Sequence, residues 1–188
     1  MALLESIHIP LKTKMTEFNL VDPFGKAYNG RNLYGENGLL INFTCNHCPY
    51  AIAVWPRFIQ LARYARQLKI NTVAINPNIN PDYPDDSPQS MIKRIKEWGI
   101  DFPYLIDETQ STARSFKAQC TPDLYLFNAN QELVYHGRID DSWQDANKVR
   151  REELKEAITD LASGRAVSSD QKSSMGCSIK WLGNNLSI

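Results

Sequence analysis

Apolar residues change their spacing in the first half of the chain, and the change predicts a strand, a helix and a second strand. Residues 39–43 (LLINF) form a nearly continuous apolar run, which is typical of a strand buried on both faces. After Pro49, apolar residues from Val54 to Leu68 recur at steps of four and three, the spacing of an amphipathic helix. A second apolar run follows at residues 70–75 (INTVAI). This succession predicts a βαβ unit with parallel strands.

The flanking segments predict further short elements. Residues 1–38 alternate apolar stretches with Gly and Asn turns, which favours strands and a hairpin, and Pro56 should kink or interrupt the first helix. Residues 76–88 are rich in Pro, Asn and Asp and predict a long loop. The remaining predictions are a helix opening at Ser87-Pro88, a strand at 102–106, a helix from a capping box at Asp107 and Gln110 through Phe116, a β-hairpin at 124–137 and a helix at 154–162.

Together these elements predict an α/β fold with a mixed central sheet flanked by helices. We expect one domain over residues 1–163, with its core at about 14–162 and an N-terminal β extension. Residues 164–188 are predicted to form a C-terminal tail, although residues 176–181 (GCSIKW) regain apolar character. A chain of 188 residues that is 43% hydrophobic and 22% charged can bury a sizeable core without a metal or disulfide staple.

Charge and hydropathy exclude two classes of partner. The chain has 21 Lys plus Arg and 21 Asp plus Glu, so it lacks the overall positive charge of a broadly basic nucleic-acid binder. Its longest apolar run, residues 50–55, is far shorter than a membrane span. We therefore expect neither nucleic acid nor membrane as a partner. Residues 1–10 lack the basic and apolar segments of a secretory signal, so we expect a cytoplasmic location.

The cysteines are the strongest indication of chemistry. Two of the four, Cys45 and Cys48, form a C-x-x-C motif at the start of the predicted helix, where both thiols lie on one face and can form a disulfide. Because a helix N-terminus stabilises a thiolate, we expect Cys45 to attack a disulfide and Cys48 to release the product. His47, between them, is expected to lower the pKa of Cys45.

The same pair could instead be half of a zinc site. A structural zinc site needs four ligands, usually from a second close pair, but Cys120 and Cys177 stand far apart in the sequence. His47 lies inside the first pair, where one metal could hardly use all three side chains. We therefore expect redox chemistry, with no metal and no other bound cofactor.

In combination, these segments resemble the thioredoxin superfamily. The order strand, CxxCP, kinked helix and strand is followed much later by Thr121-Pro122 and another strand. Residues 14–162 resemble the redoxin group related to thiol-specific antioxidant and cytochrome-maturation proteins. The segments 45–50 (CNHCPY) and 120–123 (CTPD) resemble those of a bacterial subgroup described as thiol-disulfide isomerases. The resemblance implies a thioredoxin-like fold and dithiol–disulfide exchange with a disulfide-bearing protein or a small thiol or disulfide. It also implies an electron partner such as a thioredoxin or glutathione.

The resemblance also implies roles for residues near the second motif. Pro122 should be a cis-proline facing the disulfide, which leaves the backbone of Thr121 free to pair with an extended substrate. Cys120 would then be either a third redox thiol or a small buried side chain, and we favour the second interpretation. Cys177 could fold back over the active site with residues 176–181 or pack on the surface, and we favour the surface position.

Two departures from the superfamily pattern keep other functions open. Thioredoxin has a buried Asp before its first cysteine, but residues 38–44 contain no acid, so His47, water or a distant carboxylate would have to accept protons. A peroxiredoxin-like thiol peroxidase is one alternative. If Cys48 takes the peroxidatic position, however, Cys45 replaces the usual Thr three residues earlier. A redox-inert thioredoxin-fold binding module is an alternative of another class.

Overall fold

The structure, a computed structural model, describes residues 3–183 and contains one large mixed sheet, a small second sheet and four α-helices over that range. The helices are α1 (Pro49–Gln67), α2 (Pro88–Trp98), α3 (Ser111–Ser115) and α4 (Glu153–Ala162). The strands are β1 (Leu3–Glu5), β2 (Asn19–Val21), β3 (Ala27–Asn29), β4 (Gly38–Phe43), β5 (Ile70–Asn76), β6 (Tyr104–Ile106), β7 (Cys120–Thr121), β8 (Asp123–Asn128), β9 (Leu133–Gly137) and β10 (Met175–Ser178). No helix among the described residues is long and apolar enough to span a bilayer.

The large sheet has the mixed strand directions that the sequence predicts. Its order is β3-β2-β6-β5-β4-β8-β9, with β4, β5 and β6 parallel and the other pairs antiparallel. The βαβ unit is therefore present as β4, α1 and β5. All six residues of β4 are buried, because the strand is central and has helices on both sides.

Two apolar clusters lie on opposite faces of this sheet. Leu40 of β4 points into a cluster with α1, α2 and α4, where Trp55 and Phe58 are almost completely buried. Its neighbours Leu39 and Ile41 point into a second cluster with α3 and the segment around Phe18. Burying one such aromatic or aliphatic side chain contributes roughly 1.5–3 kcal/mol, so β4 is fixed from both sides. This rigid strand leads directly into the C-x-x-C motif.

Two local predictions are revised by the structure. Helix α1 continues through Pro56, so the helix is not interrupted there, and the alternative expectation of a kink stays a prediction. Asp107 does cap α3, accepting from the backbone N–H groups of Thr112 (3.3 Å) and Ala113 (2.7 Å), but no reciprocal capping box forms. Gln110 has φ +60° and donates its side-chain amide to the carbonyls of Pro77 and Lys180, at 2.8 Å each. The helix accordingly starts at Ser111 and ends at Ser115.

The C-terminal segment, predicted as a tail over 164–188, includes a paired strand. Within it, β10 is the central strand of a second sheet with the order β1-β10-β7, and both pairings are antiparallel. The N-terminal β extension therefore pairs with the C-terminal segment. The sequence did not indicate this pairing, because it joins residues more than 150 positions apart. Residues 184–188 of the predicted tail lie outside the described range.

Gly176 allows β10 to approach β7 closely. A Cβ atom at this position would lie 2.0 Å from the carbonyl oxygen of Thr121 and 2.6 Å from its carbonyl carbon. Because both contacts are with backbone atoms, no side-chain rotation could relieve them. Any residue larger than glycine would push β10 away from Thr121.

We predict that Gly176→Ala loosens β10 and exposes the thiols beneath it. Iodoacetamide should alkylate native Gly176→Ala at Cys45, Cys48 and Cys177 faster than it alkylates wild type, whose cysteines are at most 3% exposed. The overall destabilisation should be about 1–3 kcal/mol, as for other overpacked sites. Gly164→Ala is the control: it strains the backbone, because Gly164 has φ +70°, but a Cβ there meets nothing within 4 Å and the residue lies outside β10. Mass spectrometry measures the alkylation of each cysteine over time. Equal alkylation rates in Gly176→Ala and Gly164→Ala would contradict the prediction.

Candidate active site

The two motif cysteines lie where β4 ends and α1 begins. Cys48 is the N-cap residue of α1, and Pro49 occupies the first helical position, as the sequence predicts. Trp55 of α1 donates its indole N–H to the carbonyl of Cys45 at 3.4 Å. Neither cysteine exposes surface, and all four cysteines of the chain are free thiols. The site is therefore a buried dithiol at the N-terminus of a helix.

The Thr121–Pro122 turn faces this dithiol. The peptide bond between the two residues is cis, as the resemblance implied. The Thr121 hydroxyl lies 3.2 Å from Sγ of Cys45, and the Thr121 carbonyl accepts a hydrogen bond from Cys48 at 3.2 Å. Residues 121 and 122, selected from the sequence as substrate-binding, thus lie beside the reactive sulfurs. Their role toward a substrate remains a prediction.

The environments of the two thiols move their pKa values in opposite directions. Hydrogen bonding from Cys45 lowers the pKa of Cys48 to about 5, against the effect of burial, and the Cys177 thiol and the Ala51 backbone N–H contribute in the same direction. Burial raises the pKa of Cys45 well above its ordinary value, and the negative charge of Asp86 adds to this effect. The Thr121 carbonyl opposes ionisation of Cys48, because a thiolate cannot donate a hydrogen bond to it.

This order of pKa values is the reverse of the predicted one. From the sequence, the thiolate is expected at Cys45, because the motif precedes a helix. In the structure Cys48, not Cys45, occupies the cap position, and Cys48 receives the N–H of Ala51 in the first turn. The N-cap position and the lowered pKa both favour the thiolate at Cys48 over that at Cys45.

A buried carboxylate from the Pro- and Asp-rich loop completes the site. Asp86 is fully buried; its Oδ1 accepts from the backbone N–H of Asn46 (2.6 Å) and from the side chain of Asn76 (3.1 Å). Tyr104 donates its hydroxyl to the side-chain oxygen of Asn46 at 3.1 Å. Sequence reasoning left the role of this loop open and did not select Asp86. The sequence did contain one indication of a site residue, namely an Asp in the segment that connects the end of a buried strand to a helix.

His47 is oriented by Asp86 and not by Cys45. Its Nδ1 contacts Oδ2 of Asp86, and its ring lies against Tyr83 with the ring centroids 4.5 Å apart. Among the main causes that raise the pKa of Cys45, the nearby charged group is the carboxylate of Asp86. The tuning of Cys45 by His47 stays a prediction.

The two remaining cysteines occupy opposite sides of the β7–β10 pair. Cys177 belongs to one buried cluster with Cys45, Cys48 and Ala51, so the C-terminal segment folds back over the motif, contrary to the surface position that we favoured. Cys120 contacts the carbonyls of Pro122 (3.7 Å) and Ser174 (4.0 Å), and burial raises its pKa well above the ordinary value. Cys120 fits the interpretation as a small buried side chain.

One group of side chains in the described part of the chain offers several metal-ligand atoms together. Single atoms of Cys45, His47 and Asp86 lie within 4.8 Å of one another. The group has three members, one fewer than a structural zinc site requires, and the Nδ1 of His47 is engaged with Asp86. Within the group, His47 is paired with Asp86, whereas the Cys45 thiol contacts the hydroxyl of Thr121.

Comparison with known proteins gives the family. The AhpC/TSA family model matches residues 11–136, more than half of the 188-residue chain. The chain belongs to the AhpC/TSA family. No curated protein matches the sequence. This membership points to redox enzymes of the thioredoxin type, in agreement with the resemblance described from the two motifs.

Solved structures agree with this assignment. An uncharacterized conserved protein from Geobacillus kaustophilus is 37% identical, with 98% of this chain and 99% of that one covered and a TM-score of 0.93. A hypothetical protein from Sinorhizobium meliloti is 31% identical, with coverages of 96% and 99% and a TM-score of 0.91. The thioredoxin domain of a thiol-disulfide oxidoreductase from Bacteroides vulgatus is 11% identical, with coverages of 69% and 89% and a TM-score of 0.57. The fold is the thioredoxin fold.

We predict that the low pKa of Cys48 depends on a hydrogen-bond donor at position 45. Cys45→Ala removes the donor, so the pKa of Cys48 should rise from about 5 toward its ordinary value of 9.0. Cys45→Ser keeps an O–H donor, so its pKa should stay closer to that of the wild type. Far-ultraviolet thiolate absorbance against pH measures both midpoints, with Cys48→Ser as the blank. Equal midpoints in the two position-45 variants would show that the donor is not the cause.

Proposed function

We propose that the protein is a thiol–disulfide oxidoreductase in which Cys45 and Cys48 alternate between dithiol and disulfide. The observation that carries this proposal is the pair of free thiols in one buried cluster at the N-terminus of α1, both in contact with Thr121 of the cis Thr121–Pro122 turn. Their surroundings lower the pKa of one thiol and raise that of the other. Such a pair presents one thiolate for attack and keeps one protonated thiol beside it. The AhpC/TSA family and the thioredoxin fold support the same type of chemistry.

The proposed reaction transfers two electrons to a substrate disulfide. The Cys48 thiolate attacks one substrate sulfur, so that a Cys48–substrate disulfide forms and the second substrate sulfur leaves as a thiolate. Cys45 then loses its proton and attacks Sγ of Cys48. The mixed disulfide breaks, the Cys45–Cys48 disulfide forms, and the first substrate sulfur leaves as a thiolate. The substrate is reduced to a dithiol, and a partner such as a thioredoxin or glutathione would restore the enzyme's dithiol.

Asp86 is the carboxylate that we assign to the second step. Its charge opposes ionisation of Cys45, so Cys45 stays protonated until a mixed disulfide on Cys48 removes the neighbouring thiolate. Residues 38–44, directly before Cys45, contain no acidic residue. The buried Asp86 comes from a distant part of the chain and places a carboxylate near Cys45. A carboxylate that disfavours the Cys45 thiolate delays the release of product until the first step has occurred.

An assay of disulfide reduction tests the proposal. Wild type should accelerate the reduction of insulin by a small dithiol, and Cys48→Ser should reduce the rate to that of the dithiol alone, because the attacking sulfur is lost. Cys120→Ala should behave as wild type, since Cys120 faces the carbonyls of Pro122 and Ser174. Peroxide consumption is measured on the same samples. Peroxide turnover without insulin reduction would favour the thiol peroxidase, and inactivity in both assays would favour the binding module.

A second prediction concerns Asp86. Asp86→Asn keeps an oxygen for the N–H of Asn46 but removes the charge, so the pKa of Cys45 should fall. The rate of insulin reduction should therefore begin to rise at a lower pH than in the wild type. Asp85→Asn is the matched control, because the exposed Asp85 contacts Asn46 only through its backbone carbonyl. Identical profiles for wild type and Asp86→Asn would contradict the role of the carboxylate.

A further inference from the structure

Strand β10 lies along the backbone edge that the resemblance assigned to an extended substrate. It runs antiparallel to β7, with Cys177 opposite Thr121 and Ser178 opposite Cys120. Thr121 directly precedes the cis-proline and contacts both motif thiols. The chain therefore places a cysteine of its own where a substrate disulfide would come into register with the active site.

The register also places the Cys177 side chain on the reactive face of the pair. Side chains directly opposite each other in an antiparallel pair project to the same side. The Thr121 side chain contacts Cys45, so Cys177 projects toward the motif, where it shares a buried cluster with both motif cysteines. Cys120 and Ser178 project to the other side. Only one of the two additional thiols thus faces the dithiol.

Among the three clustered sulfurs, Cys48 is the central one. It donates its thiol to the carbonyl of Thr121 at 3.2 Å, and Cys177 is the residue opposite Thr121 in the β7–β10 pair. Cys48 also shares one buried cluster with both Cys45 and Cys177, and hydrogen bonding from each of these thiols lowers its pKa. A disulfide on Cys48 could therefore be attacked from either neighbour without movement of Cys48 itself.

Contacts on both sides of Cys177 hold it at this position. Before it, the N–H and hydroxyl of Ser174 bond to the hydroxyl of Ser6 (2.9 Å) and the carbonyl of Gly137 (2.6 Å). After it, the N–H of Ile179 bonds to the carbonyl of Gln119 at 3.1 Å. The absence of a side chain at Gly176 permits the close approach to Thr121. Cys177 is thus a fixed neighbour, and a fixed neighbour reacts as though present at very high concentration.

We propose that Cys177 is a third redox-active thiol of this centre and exchanges with the Cys45–Cys48 disulfide to form a Cys48–Cys177 disulfide. The inference rests on the proposed function, which supplies the Cys45–Cys48 disulfide. Cys177 loses its proton and attacks Sγ of Cys48; the Cys45–Cys48 bond breaks, the Cys48–Cys177 bond forms, and Cys45 leaves as a thiolate that takes up one proton. One disulfide replaces another, so the step needs no oxidant of its own.

The exchange gives the oxidised enzyme two forms. In one, the disulfide lies within the motif and β10 is held by hydrogen bonds and packing alone. In the other, a covalent bond joins β10 to the N-terminus of α1, and Cys45 is again a free thiol. The same attack by Cys177 can resolve a mixed disulfide on Cys48, which gives the enzyme a second resolving thiol in addition to Cys45.

The test maps disulfides in the full-length protein. Reduced protein is treated with excess glutathione disulfide, quenched with acid and blocked with iodoacetamide, and linked peptides are identified by mass spectrometry. Wild type should contain both Cys45–Cys48 and Cys48–Cys177 peptides. Cys177→Ser should contain only the first, Cys45→Ser only the second, and Cys120→Ala both. Circular dichroism verifies the fold of each variant, and the wild-type map decides the question if Cys45→Ser does not fold.

A kinetic comparison separates resolution by Cys177 from a merely structural role. Glutathione bound to Cys48 should be released from Cys45→Ser about 10²-fold faster than from Cys45→Ser/Cys177→Ser, because a positioned thiol replaces a bimolecular reagent. Equal release rates, together with a wild-type map that shows Cys45–Cys48 alone, would overturn the third-thiol proposal and leave the proposed function standing. A wild type that forms no Cys45–Cys48 disulfide and does not reduce insulin would overturn both.

Discussion

The sulfur of Cys48 is buried, and the site depends on how a negative charge on it is stabilised without water. Water would normally solvate it, so in its absence the neighbouring thiols and the first-turn N–H of Ala51 must serve instead. Each of these donors comes from a different part of the fold: the loop after β4, the start of α1, and β10. The rigid central sheet brings the three together, and a shift of any one of them would change which sulfur carries the charge.

The parts of the fold that follow local periodicity could be predicted from the sequence. The βαβ unit, the buried strand β4 and the helix that opens at Pro49 all follow from runs of apolar residues and from cap positions. The cis-proline was predicted from a resemblance, because no local pattern distinguishes it from an ordinary trans-proline at the start of a strand. Pro56 shows the limit of local rules: a residue that weakens an isolated helix is tolerated where α1 packs on the sheet.

The parts that sequence reasoning missed depend on contacts between distant segments. Asp86 reaches Asn46 across 40 positions, and its burial follows from the path of an irregular loop. His136, which shows no partner in the sequence, bonds at 2.9 Å to the buried Asp123. Strand β10 is similar, since its four residues (MGCS) are too few to predict a strand by themselves and form one by pairing with β1 and β7. Such positions are determined by tertiary structure, which a single sequence does not display.

Strand β10 is the central strand of the small sheet and packs over the motif cysteines, so a large molecule can reach them only if this strand moves. Releasing this strand would break two backbone ladders at once and would leave their amides without partners until water or another chain replaced them. Opening is thus a local unfolding event with its own free energy, separate from unfolding of the large sheet. Under the proposed function, the rate of that event sets an upper limit on reaction with bulky protein disulfides. The amide hydrogens of residues 175–178 would exchange with solvent at the same frequency.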